Sequence, residues 1–264
     1  MKKLPSLDVL IIDIDNTFIY HRTVALANRL VVENWCRLFG KKIYPQEVYT
    51  TEKVLGAMAC VPLWCFRWDT RCVKKLLILA SSACTLYSLN LHRILANKMG
   101  LHVSNERMIR AWAKTIQRLR LISSDYVLAP QLVKRNLRPQ MLALYKNIRR
   151  QNPALKVVAI SQHFAIDGGP LQKLLSIDVL ISNRLKVRAN RVVPELVCLN
   201  GEDKLRLAKR FCMGAASVGV FIEDFDELPL LKLPSLAAVF CSRHMRRYLP
   251  SNPPYTVVSF PKPI

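Results

Sequence analysis

Residues Leu7–Ile14, LDVLIIDI, form a short apolar run rich in β-branched side chains, and the chain leaves it through Asp13-Ile14-Asp15-Asn16-Thr17. A run this short and this apolar suits a strand covered on both faces, as in the middle of a parallel sheet. Its carboxylates then emerge at the strand's carboxyl end, where open α/β sheets bind their ligands. Such a strand needs crossover helices on both faces of the sheet, so the rest of the chain must alternate.

It does so after residue 136. Pro139 suits the first turn of a helix running to Arg150. Lys156–Ile160, KVVAI, then reads as a second buried strand stopping at Ser161. Leu171–Leu175 reads as helix, Asp178–Ser182 as strand, and Arg184–Val193 as a hairpin-like excursion. Asp203–Phe211 is a helix opened by Asn200, Gly201 and Glu202. Ser217–Ile222 is the next strand, ending in Glu223-Asp224, and Ala237–Cys241 is a last one. Strand and helix in alternation predict an α/β fold with a Rossmann-like parallel sheet. Residues 23–38 look helical, and from about 45 to 128 the pattern is helical throughout. The expected organisation is therefore a core of 1–20 and 129–264 with an inserted all-helical cap, 21–128.

Four strand or helix ends in this core carry polar groups of complementary charge: Asp13, Asp15 and Thr17; Ser161; Lys204; and Glu223 with Asp224. Set out in this order, they resemble the haloacid dehalogenase superfamily of phosphohydrolases over nearly the whole chain. Asp13-Ile14-Asp15-Asn16-Thr17 matches its first motif, Ser161 its second, Lys204 in CLNGEDKLRLAKRF its third, and Ile222–Leu231, IEDFDELPLL, its acidic fourth. A helical cap between the first two motifs is similar to the phosphoserine-phosphatase-type branch. Within it, the stretch leading to Lys204, the Pro-Leu-Leu ending and the apolar cap are similar to phosphatidylglycerophosphatase C.

The resemblance implies a Mg²⁺-dependent phosphomonoester hydrolase working through an aspartyl-phosphate. Asp13 would attack phosphorus, and Asp15 would protonate the leaving oxygen and then activate water. Thr17, Ser161 and Lys204 would hold phosphoryl oxygens. Asp13, the backbone carbonyl of Asp15 and Glu223 would hold the metal, with Asp224 and Glu227 as competing ligands or supports. Three departures stand out: Asn16 after the second Asp, Gln162-His163 crowding Ser161, and glutamates at 223 and 227 where aspartates are usual. They leave open a weakened, scaffold-like member. His163 fits packing or substrate contact, and Cys198 fits packing.

Charge and hydropathy bear on the partner. There are 40 Lys and Arg against 18 Asp and Glu, a formal net charge of +22. That excess favours an acidic partner: a phosphorylated substrate, an anionic lipid or nucleic acid. No nucleic-acid motif or basic–aromatic strand accompanies it, so nucleic acid is disfavoured. Arg107, Arg110, Lys114, Arg118 and Arg120 recur at helical spacing around Ile109, Trp112, Ile116 and Leu119. That is an amphipathic helix whose basic face is either solvated or turned to phosphate or lipid. Val54–Phe66 and Leu76–Leu91 carry no charge over 13 and 16 residues, with Trp64 and Trp68 beside the first. Both are too short to span a bilayer as helices. They fit either buried cap helices or an interfacial hairpin, the latter with a lipid phosphate as substrate. The opening MKKLPSLDVL lacks a secretory layout, so a cytoplasmic protein is expected, peripheral on the inner membrane face in the interfacial-hairpin reading. The eight Cys include no CxxC pair, and no zinc site is expected.

Overall fold

The computed structural model describes residues 4–14, 18, 81, 85, 88, 89, 91–93, 95, 96, 99, 101, 103–119, 137–165, 169–189 and 191–260. The anticipated helix at 23–38, the uncharged run Val54–Phe66, Trp64, Trp68, Asp15 and Thr17 lie outside them.

Seven strands form one sheet in the order β4-β3-β2-β1-β5-β6-β7. They are β1 (Val9–Ile12), β2 (Lys156–Ala165), β3 (Val179–Arg188), β4 (Arg191–Glu195), β5 (Val218–Ile222), β6 (Leu236–Ser242) and β7 (Thr256–Phe260). All neighbours are parallel except β3 and β4, which pair antiparallel. β1 is central, with every residue buried, as its unbroken apolar run requires. Successive side chains alternate between two cores. Leu10 and Ile12 join Met141, Tyr145 and Ile148 of helix α2 (Pro139–Gln151), together with Phe221 and Phe240. Val9 and Ile11 join Leu205, Ala208 and Cys212 of helix α4 (Gly201–Cys212) on the opposite face. The result is the three-layer α/β architecture expected from the alternation.

Polar groups fix the entry to β1. Asn152 Oδ1 accepts from the Leu7 N–H at 2.8 Å. Asp8 Oδ2 accepts from the N–H groups of Ala216 and Ser217 at 2.8 and 3.0 Å, joining the entries to β1 and β5. Gly219 lies where β5 crosses Leu7 and Leu10: a Cβ there would sit 2.8 and 3.0 Å from their Cδ1 atoms.

The insertion is represented by helical residues between 81 and 96 and by α1 (Glu106–Leu119). Helix α1 is amphipathic as its spacing predicts, with Ile109 and Ala113 buried and Arg107, Arg110, Lys114 and Arg118 exposed. No helix among the described residues is long and apolar enough to cross a membrane.

Some boundaries differ from expectation. β2 does not stop at Ser161; it runs to Ala165, and its register with β3 shifts between Ser161 and Phe164. An irregularity of this kind re-aims side chains beside a functional end of a sheet while pairing continues. α3 (Gly169–Leu174) starts two residues before the expected helix, and α4 starts at Gly201, two residues before Asp203. A 3₁₀ helix (Phe225–Lys232), the short α5 (Arg243–Arg246) and β7 were not evident from the sequence.

Candidate active site

The carboxyl ends of β1, β2 and β5 and the first turn of α4 meet at one edge of the sheet. Asp13 follows β1 directly, its side chain 12% exposed. Ser161 lies on β2, two residues past Ala159, which pairs with Ile12 at the end of β1; it is buried. Glu223 follows β5, the other neighbour of β1.

Lys204 reaches this edge from α4. Asn200 caps that helix by accepting from the Asp203 N–H at 3.0 Å. Gly201 then brings the helix against the acidic loop so closely that a Cβ would lie 2.5 Å from the Asp226 carbonyl and 2.8 Å from Pro229 Cγ. The Lys204 side chain is almost wholly buried; its Nζ lies 3.5 Å from Asp13 Oδ1 and pairs with Glu227 Oε1. Burial disfavours the ammonium, but Asp13 and Glu227 outweigh it and hold Lys204 above the ordinary lysine range. Lys204 is therefore a fixed positive charge beside Asp13.

Glu227 is occupied on both oxygens. Beyond its pairing with Lys204, its Oε2 accepts from the N–H groups of Glu223 and Asp224, at 3.2 and 2.5 Å. Burial raises its carboxyl, with the Lys204 charge opposing. The ionised form is the one this geometry favours, since two backbone N–H groups and an ammonium all donate to it. Glu227 therefore fixes Lys204 and shapes the loop. Asp224 is likewise engaged: it caps the 3₁₀ helix at the Phe225 N–H, 2.6 Å away, and lies 3.2 Å from Arg93 Nη1.

Gln162 does not merely crowd Ser161. Its Oε1 accepts from Asn105 Nδ2 at 3.1 Å and its Nε2 donates to the Leu199 carbonyl at 3.1 Å. Asn183, fully buried, ties the same region together. Its Nδ2 donates to the carbonyls of Gln162 and Cys198, and its Oδ1 accepts from the N–H groups of Val197 and Cys198. Asn183, Gly201, Arg93 and Asn105 were missed from the sequence. An Asn inside a strand pattern, and a Gly at a helix start beside a Pro-bearing loop, were the only signals available.

Among the described residues, three side chains of the expected insertion, Arg93, Asn105 and Glu106, bond to this edge. Arg93 donates from Nη1 to Asp224 at 3.2 Å and to Asn105 Oδ1 at 2.8 Å. Asn105 donates from Nδ2 to Asp226 Oδ2 at 2.9 Å. Glu106 Oε2 accepts from Asn200 Nδ2 at 3.1 Å. Hydrogen bonds from Arg110 and Asn200 hold Glu106 below the usual carboxylate range.

The oxygen donors here suit a hard cation. Asp13 and Glu223 directly follow adjacent parallel strands, and carboxylates with backbone oxygen and water are Mg²⁺ chemistry. Cys198 is buried beside this edge, and desolvation pushes its thiol up to about 12. Among the described residues no three His, Cys, Asp or Glu side chains group closely enough to hold a metal, and Asp15 lies outside them.

No protein-family model matches the chain, and no curated protein matches it by sequence. Its fold is nevertheless that of several solved structures. A substrate-bound phosphoserine phosphatase complex aligns at a TM-score of 0.51 and 12% identity, covering 95% of this chain and 100% of the other. A phospho-aspartyl intermediate analogue of phosphoserine phosphatase aligns at 0.51 and 12%, covering 93% and 100%. A phosphoserine phosphohydrolase-like protein from Francisella tularensis aligns at 0.54 and 10%, covering 95% and 94%.

Proposed function

We propose that this chain is a phosphomonoester hydrolase that works through a phosphorylated Asp13. The observation that carries the reading is the buried Lys204 between Asp13 and Glu227 at the carboxyl end of β1. In this reading an Asp13 oxygen attacks phosphorus and the bond to the ester oxygen breaks. Asp15 gives its proton to the departing alkoxide. The same carboxylate then takes a proton from water, whose oxygen attacks phosphorus and releases inorganic phosphate and free Asp13. Lys204, with Thr17 and Ser161, holds the phosphoryl oxygens, where negative charge concentrates in the transition state. Mg²⁺, held by Asp13, the Asp15 carbonyl and Glu223, would shield the nucleophile from the anionic phosphate.

For substrate we propose a lipid phosphate at a membrane surface, supported by the apolar insertion, the basic face of α1 and the likeness to phosphatidylglycerophosphatase C. A small soluble phosphoester is the neighbouring reading, supported by the fold shared with phosphoserine phosphatases. The test is turnover of an aryl phosphate with Mg²⁺ and with chelator, followed by lipid and soluble phosphomonoesters, with Asp13→Asn as blank. Loss of activity in chelator and in Asp13→Asn is the expected result. Wild-type activity in Asp13→Asn overturns the mechanism.

A further inference from the structure

The helical residues between 81 and 96 have two unlike sides. Arg93 and Ala96 face the core: Arg93 reaches Asp224 and Ala96 is buried. At 100° per residue, Leu91 and Leu95 fall on the opposite side, and they are 43% and 50% exposed. The chain that follows adds Met99 and Leu101, at 70% and 59%. Four of the six large apolar side chains found exposed among the described residues thus fall within eleven residues of sequence. Large exposed apolar side chains grouped together mark an interaction surface, whereas scattered single residues do not.

The strip leads directly into α1. There Ile109 and Ala113 face inward, and Arg107, Arg110, Lys114 and Arg118 form an exposed basic row. Leu101 is four residues from Asn105, at most about 14 Å of extended chain, and Asn105 bonds the acidic loop. The strip therefore lies near the rim of the candidate active site.

We propose that this apolar strip and the basic row of α1 dock the protein on an anionic lipid bilayer. Leucine and methionine side chains would enter the interface, while arginine and lysine meet the headgroup charge. Charge complementarity selects this occupant over a second copy of the chain, which carries the same +22. Docking does not depend on the phosphatase reading; it deepens its lipid-phosphate form by placing the site at the surface that holds the substrate.

The test is sedimentation of the full chain with phosphatidylcholine vesicles, with and without phosphatidylglycerol, across a salt series. Binding to the anionic vesicles should fall as salt rises. Arg107→Gln/Lys114→Gln/Arg118→Gln should weaken it at least tenfold at low salt, since each basic residue near such a surface contributes about fivefold. Leu91→Ser/Leu95→Ser/Met99→Ser should weaken the salt-resistant part. Lys173→Gln/Lys209→Gln/Arg210→Gln removes the same charge from other exposed positions and should change binding less than twofold. An equal loss in that control means net charge alone binds, and overturns the proposal. So does failure to sediment with any vesicle, or self-association that the apolar variant abolishes. Aryl phosphate turnover should be unchanged in all three variants, which separates failure of docking from failure of the catalytic reading.

Discussion

Lys204 is buried, charged and in contact with two carboxylates, so its removal acts on both stability and chemistry. Lys204→Met leaves Glu227 without its cation in a dry site; breaking a buried pair in this way costs about 3–5 kcal/mol. Urea unfolding should report that loss, and aryl phosphate turnover should vanish even where the variant remains folded. Cys198 offers a test by pH. Its thiol rises from 9.0 to about 12 on folding, so the folded state holds the proton more tightly. That stabilisation is complete below about pH 9 and is lost as pH rises toward 12. Cys198→Ala should therefore flatten the alkaline decline of stability by up to about 1.4 kcal/mol per pH unit in that window, as read from urea melts at pH 8 through 11. Asp13 and Lys204 were legible in sequence because each ends or opens an element of recognisable pattern. The engagement of Glu227 with two backbone N–H groups was not, since it depends on how the chain turns after β5.

At the scale of elements, the close approach of α4 to the acidic loop sets the position of Lys204. Gly201→Ala should push the helix start away from the Asp226 carbonyl and Pro229, at a cost of about 1–3 kcal/mol for overpacking. It should also lower kcat more than Gly219→Ala, which crowds Leu7 and Leu10 near the entry to β5 rather than at its catalytic end. Thermal melts and initial rates on both variants check this. The strands and crossover helices of the core could be read from apolar runs and turn residues because local pattern and tertiary burial agree there. β2 continued past Ser161 because its polar end still pairs with β3, a long-range effect that no local pattern carries. The Phe225–Lys232 turn was hidden by Pro229 and by acids that looked like ligands and act in part as caps. β7 was hidden by its half-exposed, partly polar sequence, TVVSF.

At the scale of the whole chain, and among the described residues, Arg93, Asn105 and Glu106 join the expected insertion to Asp224, Asp226 and Asn200. Two of these partners, Asp224 and Asp226, belong to the loop that also supplies Glu223 and Glu227. Asn105→Ala removes the contacts to Asp226 and Gln162 together. Hydrogen bonds to charged groups contribute about 1.5–3 kcal/mol each, so kcat/KM should fall at least tenfold, with limited proteolysis of the insertion accelerating in parallel. Helical sequence between Asp13 and Ser161 was legible from its pattern, and the described part of it includes α1. Its anchoring residues were not, because Arg93 and Asn105 stand in a segment without motif and gain their meaning only from what the fold sets opposite them. In the proposed mechanism Asp13 carries the phosphoryl group during turnover. The most direct measurement is mass spectrometry of Asp15→Asn protein, acid-quenched during reaction with an aryl phosphate and digested. One phosphoryl group is expected on the peptide containing Asp13, absent from the Asp13→Asn/Asp15→Asn double variant. Turnover by wild-type protein with an unlabelled Asp13 peptide, or phosphoryl transfer to another residue, would contradict it.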